Sequence, residues 1–137
     1  MLSIGALSKA TGVKVPTIRY YEHQGLIAPP VRSHGNQRRY EPAARERLSF
    51  IRHARDLGLP LDAIRELLEL SETPEMPCAD AHRIAVGHLA EVRARIARLQ
   101  NLEAELQRIT TACDAETIGD CHVIHALADH ALCERDH

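Results

Sequence analysis

Apolar residues recur at steps of three and four along most of the chain, and the breaks between these runs fall at proline and glycine. In the opening segment Ile4, Leu7 and Ala10 keep helical spacing, and Ser3 stands where it can cap them. Gly12 predicts a tight turn and Pro16 the start of a second helix, where the missing amide hydrogen costs nothing. That helix is expected from about Pro16 to Gln24, ended by Gly25. The stretch Ile27 to Tyr40 is too rich in Pro and Gly for a helix. It suits a short β-hairpin turning near His34, Gly35 and Asn36. Pro42 then opens a helix with Leu48, Ile51 and Ala54 on one face, ending at Gly58. Pro60 or Leu61 opens a shorter one that buries Leu61, Ile64, Leu67 and Leu68.

All seven prolines precede residue 78. Beyond it the pattern predicts one long helix, from Cys78 or Ala79 to about Thr110. Its apolar positions, Ala85, Leu89, Val92, Ile96, Leu99, Leu102, Leu106 and Ile109, form a heptad-like seam with one three-residue irregularity. A stripe this narrow over about 45 Å of helix exceeds what the small preceding domain can cover. The same helix in a second subunit is the economical partner.

Charge divides the chain where the pattern does. Residues 1–60 carry a net +6 and residues 61–137 a net −8, a split hidden in the overall −2 of a 137-residue chain. A basic half suggests a polyanion-binding module, and the acidic half a different task. The basic half displays Thr17, Arg19, Tyr20 and Tyr21 on the second helix of a helix-turn-helix pattern, where base edges and phosphates would be met. Arg38 and Arg39 fall on the second strand of the expected hairpin, a wing able to grip a phosphate backbone. The acidic half holds all four cysteines and six of the nine histidines. In a reducing compartment such a cluster reads as metal-binding or redox-active rather than as a disulfide framework. With no secretory leader pattern and no stretch of about 18 uncharged apolar residues, the expected location is the cytoplasm, with no membrane partner. No nucleophile–base pairing, Gly-rich phosphate loop or HExxH pattern points to an enzyme.

The runs IGALSKATGVKVPTIRYYEHQGLI, RRY and LSFIRHARDLGLPLDAIRELLEL resemble the DNA-binding half of the mercury-resistance (MerR) family of transcription regulators. Cys78 before the long helix and Cys113 with Cys121 after it resemble that family's metal-sensing branch. The resemblance implies a mainly α fold. A winged helix-turn-helix would occupy residues 1–70, a linker 71–78, a dimerisation helix in an antiparallel coiled coil 79–111, and a metal-binding loop with a short tail helix 112–137. It implies a homodimer on double-stranded promoter DNA that untwists and bends its site, at a cost of about 1–6 kcal/mol, until RNA polymerase engages. Thr17, Arg19 and Tyr20 would then act from the recognition helix, Arg38 and Tyr40 from the wing, and Arg52 in support on the backbone.

For the metal, a helix of about 32 residues spans ~48 Å, so Cys78 cannot reach Cys113 of its own chain along it. In an antiparallel dimer it meets Cys113 and Cys121 of the second chain, which makes two equivalent sites. Three thiolates favour Zn, Cd, Pb, Hg or Cu(I). By the resemblance, Cys at position 78 points to a divalent ion, whereas copper regulators carry Ser there. The seven-residue loop between Cys113 and Cys121 is nonetheless closer to the copper branch. His122 or His82 is a candidate fourth ligand, or a surface histidine. His130, Cys133 and His137 at i, i+3 and i+7 form an auxiliary site if the tail is helical. A Cu(I) regulator, a thiol redox sensor and a small-molecule-sensing regulator stand as alternative readings.

Overall fold

The computed structural model describes residues 1–32, 35, 37–129 and 131. The expected turn residues His34 and Asn36 and the tail triplet His130, Cys133 and His137 lie outside them. The chain divides into two compact units, Met1–His82 and Arg83–His137.

The first unit begins with α1 (Ile4–Thr11) and α2 (Val15–His23). Ser3 caps α1 as expected, its hydroxyl accepting from the Ala6 amide at 3.1 Å. Gly12 ends the helix at φ +73°, and Arg52 lays Nη1 on the Thr11 carbonyl at 2.6 Å. A Cβ built on Gly12 would stand 1.9 Å from that Nη1. Gly12→Ala therefore meets two penalties, a left-handed backbone and a displaced charged hydrogen bond. Together they are expected to cost roughly 2–4 kcal/mol. Urea unfolding of the full chain at fixed concentration checks this, and a loss below about 0.5 kcal/mol would refute it.

A two-stranded antiparallel wing follows, β1 (Val31–Arg32) and β2 (Arg38–Arg39), with Val31 opposite Arg39 and Arg32 opposite Arg38. Just past β2, Tyr40 pairs with Leu2 through two backbone hydrogen bonds of 2.7 and 2.9 Å. Helix α3 (Pro42–Asp56) starts on its proline, and Gly58 at φ +83° follows its C-terminus and turns the chain toward α4 (Leu61–Ser71). Leu7, Ile18, Leu26, Tyr40, Leu48, Ile51 and Ile64 are fully buried among these elements. Each aliphatic side chain there contributes about 1.5–3 kcal/mol by leaving water.

The long helix α5 runs Ala79–Ala112, slightly beyond the expected end. Its seam is largely uncovered. Leu99 and Leu106 are 63% and 60% exposed, Leu89 and Ile96 about half, and Ile109 alone among the seam residues is buried. A 3-10 turn (Ile118–Asp120) and a short helix α6 (His122–Ala128) complete the second unit. Among its described residues, the buried apolar ones are Ile109 and Ala126.

Candidate metal centre and DNA-reading surface

The chemistry of the second unit centres on two thiols. Cys113 follows the end of α5 and Cys121 precedes α6, and the 3-10 turn between them folds the loop so that their Sγ atoms stand 3.5 Å apart. The hydrogen bond from Cys121 is the main influence that lowers the Cys113 thiol below its ordinary value. Backbone N–H groups of Val123, His122 and Ala115 add to it, while burial works the other way. Such an arrangement favours the thiolate, the form that binds metals. His125 braces the loop, its Nε2 lying 2.8 Å from the Gly119 carbonyl. The Nε2 of His122 is buried and without a hydrogen-bond partner among the described residues.

Cys78 belongs to the other unit and is exposed. The groove beside it, of about 290 Å³, is lined by Phe50, Leu67, Met76 and Pro77 among others. His82 stands on the first turn of α5, its amide bonded to the Cys78 carbonyl as the next helical step. Among the described residues of one chain, no three His, Cys, Asp or Glu side chains group closely enough to hold a metal ion. The structure thus brings Cys113 and Cys121 together in the second unit, while Cys78 and His82 belong to the first.

The basic half sorts its candidates clearly. Arg19 and Tyr20 project outward from α2, Tyr20 being 49% exposed, and Thr17 lies beside them on the same helix. Arg38 is exposed on the wing, and Arg39 is half-buried with Nη2 on Gln37 Oε1 at 2.6 Å. Tyr21 and Tyr40, expected at the DNA, are instead 7% and 1% exposed and belong to the core. Tyr21 lies on the inner face of α2 three positions from Ile18, so it turns inward with it. In a strand neighbouring side chains alternate faces, so Arg39 and Tyr40 cannot both point to solvent and DNA. The guanidinium of Arg52 is engaged by the α1 carbonyl end rather than held free for a phosphate.

Residues that pattern reading missed do similar work. Arg65 bonds the Gln24 carbonyl at 2.7 Å, closing the end of α2. Arg47 bonds the Leu26 carbonyl and the Glu72 carboxylate, the latter at 2.8 Å. Basic residues in a basic domain look alike in sequence, and only the fold separates those that cap carbonyls from those that face outward.

Two family models match this architecture. One, described as MerR HTH family regulatory protein, covers residues 2–71, and the other, described as MerR, DNA binding, covers 45–109. The chain belongs to the MerR family of transcription regulators. Among its MerR-family relatives, the HTH-type transcriptional regulator ZntR of Escherichia coli K12 is 42% identical over 96% of this chain and 95% of its own. The mercuric resistance operon regulatory protein of Pseudomonas fluorescens is 40% identical over 83% of this chain and 78% of its own. Among solved structures, a transcription regulator from Ralstonia metallidurans CH34 in complex with lead(II) superposes with a TM-score of 0.81. It is 39% identical over 93% of this chain and 99% of its own. The family is one of DNA-binding regulators and not an enzyme class. Among the described residues, no helix of this MerR-family member is long and apolar enough to cross a membrane.

Proposed function

We propose that the chain is a metal-responsive regulator that binds promoter DNA as a homodimer. It takes up one divalent soft or borderline ion per chain, held by Cys113 and Cys121 of one chain and Cys78 of the other. The ion then biases a dimer shape that untwists and bends the promoter for RNA polymerase.

The observation that carries the metal reading is the pair of sulfurs at 3.5 Å. Two thiolates on one tetrahedral ion, at a bond length of about 2.3 Å, stand about 3.8 Å apart, and on a linear ion at the same bond length about 4.6 Å. The loop is therefore preformed near the tetrahedral spacing, which favours a third thiolate and Zn, Cd, Pb or Hg over two-coordinate Cu(I). His122, next to Cys121 and with a buried Nε2 that has no hydrogen-bond partner among the described residues, fits a fourth ligand. His82, one helical turn after Cys78, is the other candidate. The lead(II) complex and the mercuric-resistance relative support the same ion class.

The α5 seam supports the partner. Run antiparallel to a copy of itself, it sets Ala85 against Ile109, Leu89 against Leu106, Val92 against Leu102, and Ile96 against Leu99. Toward the helix ends this register sets Arg83 against Ala112 of the second chain, so that Cys78 and the second chain's loop carrying Cys113 and Cys121 fall at the same end of the pair. Apolar pairing and ligand pairing, read from different residues, thus favour the same antiparallel arrangement.

The test is titration of the purified full chain with Zn(II), Cd(II), Pb(II), Hg(II) and Cu(I), beside a promoter reporter exposed to the same salts. One divalent ion per chain is expected, with thiolate-to-metal absorption for Cd(II). Cys78→Ser should weaken divalent binding at least tenfold while sparing Cu(I). Unchanged divalent affinity in Cys78→Ser would remove the shared site.

A further inference from the structure

The DNA-reading helix α2 carries an acidic residue, Glu22, on a domain whose partner is a polyanion. A carboxylate there opposes phosphate binding, so its presence calls for another role. The structure supplies one. The Tyr40 hydroxyl donates to Glu22 Oε2 at 2.9 Å, across eighteen residues of sequence. Tyr40 is fully buried, and its backbone is joined to Leu2 ahead of α1 by two hydrogen bonds. Burial, then the Glu22 bond, pushes the hydroxyl up to about 12, so it remains a protonated donor under ordinary conditions. Arg38 of the wing and Arg19 of α2 both lie near enough to act on the same hydroxyl with their charge. One hydrogen bond between two elements thus feels the positive charge of a basic side chain from each.

We propose that Tyr40 and Glu22 are positioning residues for DNA reading: their hydrogen bond holds the wing at a fixed spacing from α2, so that Arg19 and Arg38 meet the phosphate backbone in register. Neither residue touches DNA in this role. Tyr40 has no surface to offer, and the Glu22 charge is occupied by the hydroxyl. The inference rests on reading α2 and the wing as the DNA-facing elements. Arg19→Ala tests that reading separately, since it must lower both affinity and the salt dependence of binding.

The experiment uses the full chain without metal and a duplex selected by the unmodified protein from a randomised pool, with affinity measured across a salt series. Tyr40→Phe keeps the ring and removes the donor. It is expected to weaken binding about 5- to 30-fold, the range for losing a part-buried hydrogen bond to a charged acceptor, with the salt slope unchanged. Glu22→Ala and Glu22→Gln delete the same charge, so their difference is free of the charge effect and reads the acceptor together with the stem that carries it. Gln still offers an amide oxygen to Tyr40 and should bind at least fivefold more tightly than Ala. Combining Tyr40→Phe with Glu22→Ala should be no worse than either alone. Hydroxyl-radical footprints of Tyr40→Phe should lose protection under the wing and keep it under α2. A salt slope reduced by about one in Tyr40→Phe would make Tyr40 a direct phosphate contact and overturn the proposal. So would equal affinity of the Glu22 Ala and Gln variants, a comparison that stands even if Tyr40→Phe folds poorly.

Discussion

Cys113→Ser is expected to weaken divalent-ion binding at least 100-fold and to abolish the metal response of a reporter while leaving the chain folded. Substituting groups that merely orient a ligand costs about 10–100-fold in metal affinity, so losing a ligand itself must cost at least as much. Cys113 is also prepared for the role. Its sulfur stands 3.5 Å from that of Cys121, and this contact together with the backbone N–H groups of Val123, His122 and Ala115 favours the anion. A lowered thiol value carries a sign. The hydrogen-bond stabilisation of the thiolate is present above the ordinary thiol range and is lost as pH falls through the lowered folded-state value. Because a metal ion must displace any remaining thiol proton, affinity falls with falling pH in the unmodified protein. Competition against a chelator of known affinity, at several pH values, measures both effects. Retention of affinity within about threefold in Cys113→Ser would place the ion elsewhere.

Much of this organisation is legible before any coordinates. Ser3, Gly12, Pro16, Pro42 and Gly58 punctuate the helices because capping, left-handed turns and missing amides are local properties, which a sequence states directly. The α5 seam is legible for the same reason, since a repeat of three and four needs no tertiary knowledge. Side-chain destinations in the short wing are harder. RRY reads as one basic-aromatic patch, yet strand alternation sends Arg39 and Tyr40 to opposite sides, and Tyr40 ends in the core against Glu22. Arg52, Arg47 and Arg65 are indistinguishable by type from outward-facing arginines. They become carbonyl caps only because α3 and α4 pack where the ends of α1 and α2 leave acceptors unsatisfied. The spacing of Cys113 and Cys121 is visible as two thiols flanking a turn, whereas the amide bonds that lower Cys113 depend on where α6 begins.

Leu99→Asp is expected to convert the protein from dimer to monomer at micromolar concentration, and with it to remove high-affinity metal binding and to weaken operator binding. Leu99 is 63% exposed in the single chain and, in the proposed antiparallel register, would stand against Ile96 of the second chain at the centre of the seam. Two-fold symmetry makes one substitution act at two places. Losing two buried leucine side chains forfeits about 3–6 kcal/mol, and the carboxylates that replace them are desolvated beside apolar neighbours. Each 1.4 kcal/mol is tenfold in a dissociation constant, so the dimer should weaken by at least about 100-fold. The metal consequence is the discriminating one, because the substituted position lies 14 residues before Cys113 along α5, too far for its new carboxylate to touch a ligand. If each site draws Cys78 from the other chain, separating the chains leaves a two-thiolate pair and divalent affinity collapses together with dimerisation. Sedimentation velocity and chelator competition on the same sample follow the two quantities. A monomeric Leu99→Asp chain that still held its divalent ion at full affinity would mean that one polypeptide supplies every ligand, and the coupling of metal binding to dimer shape would have to be abandoned.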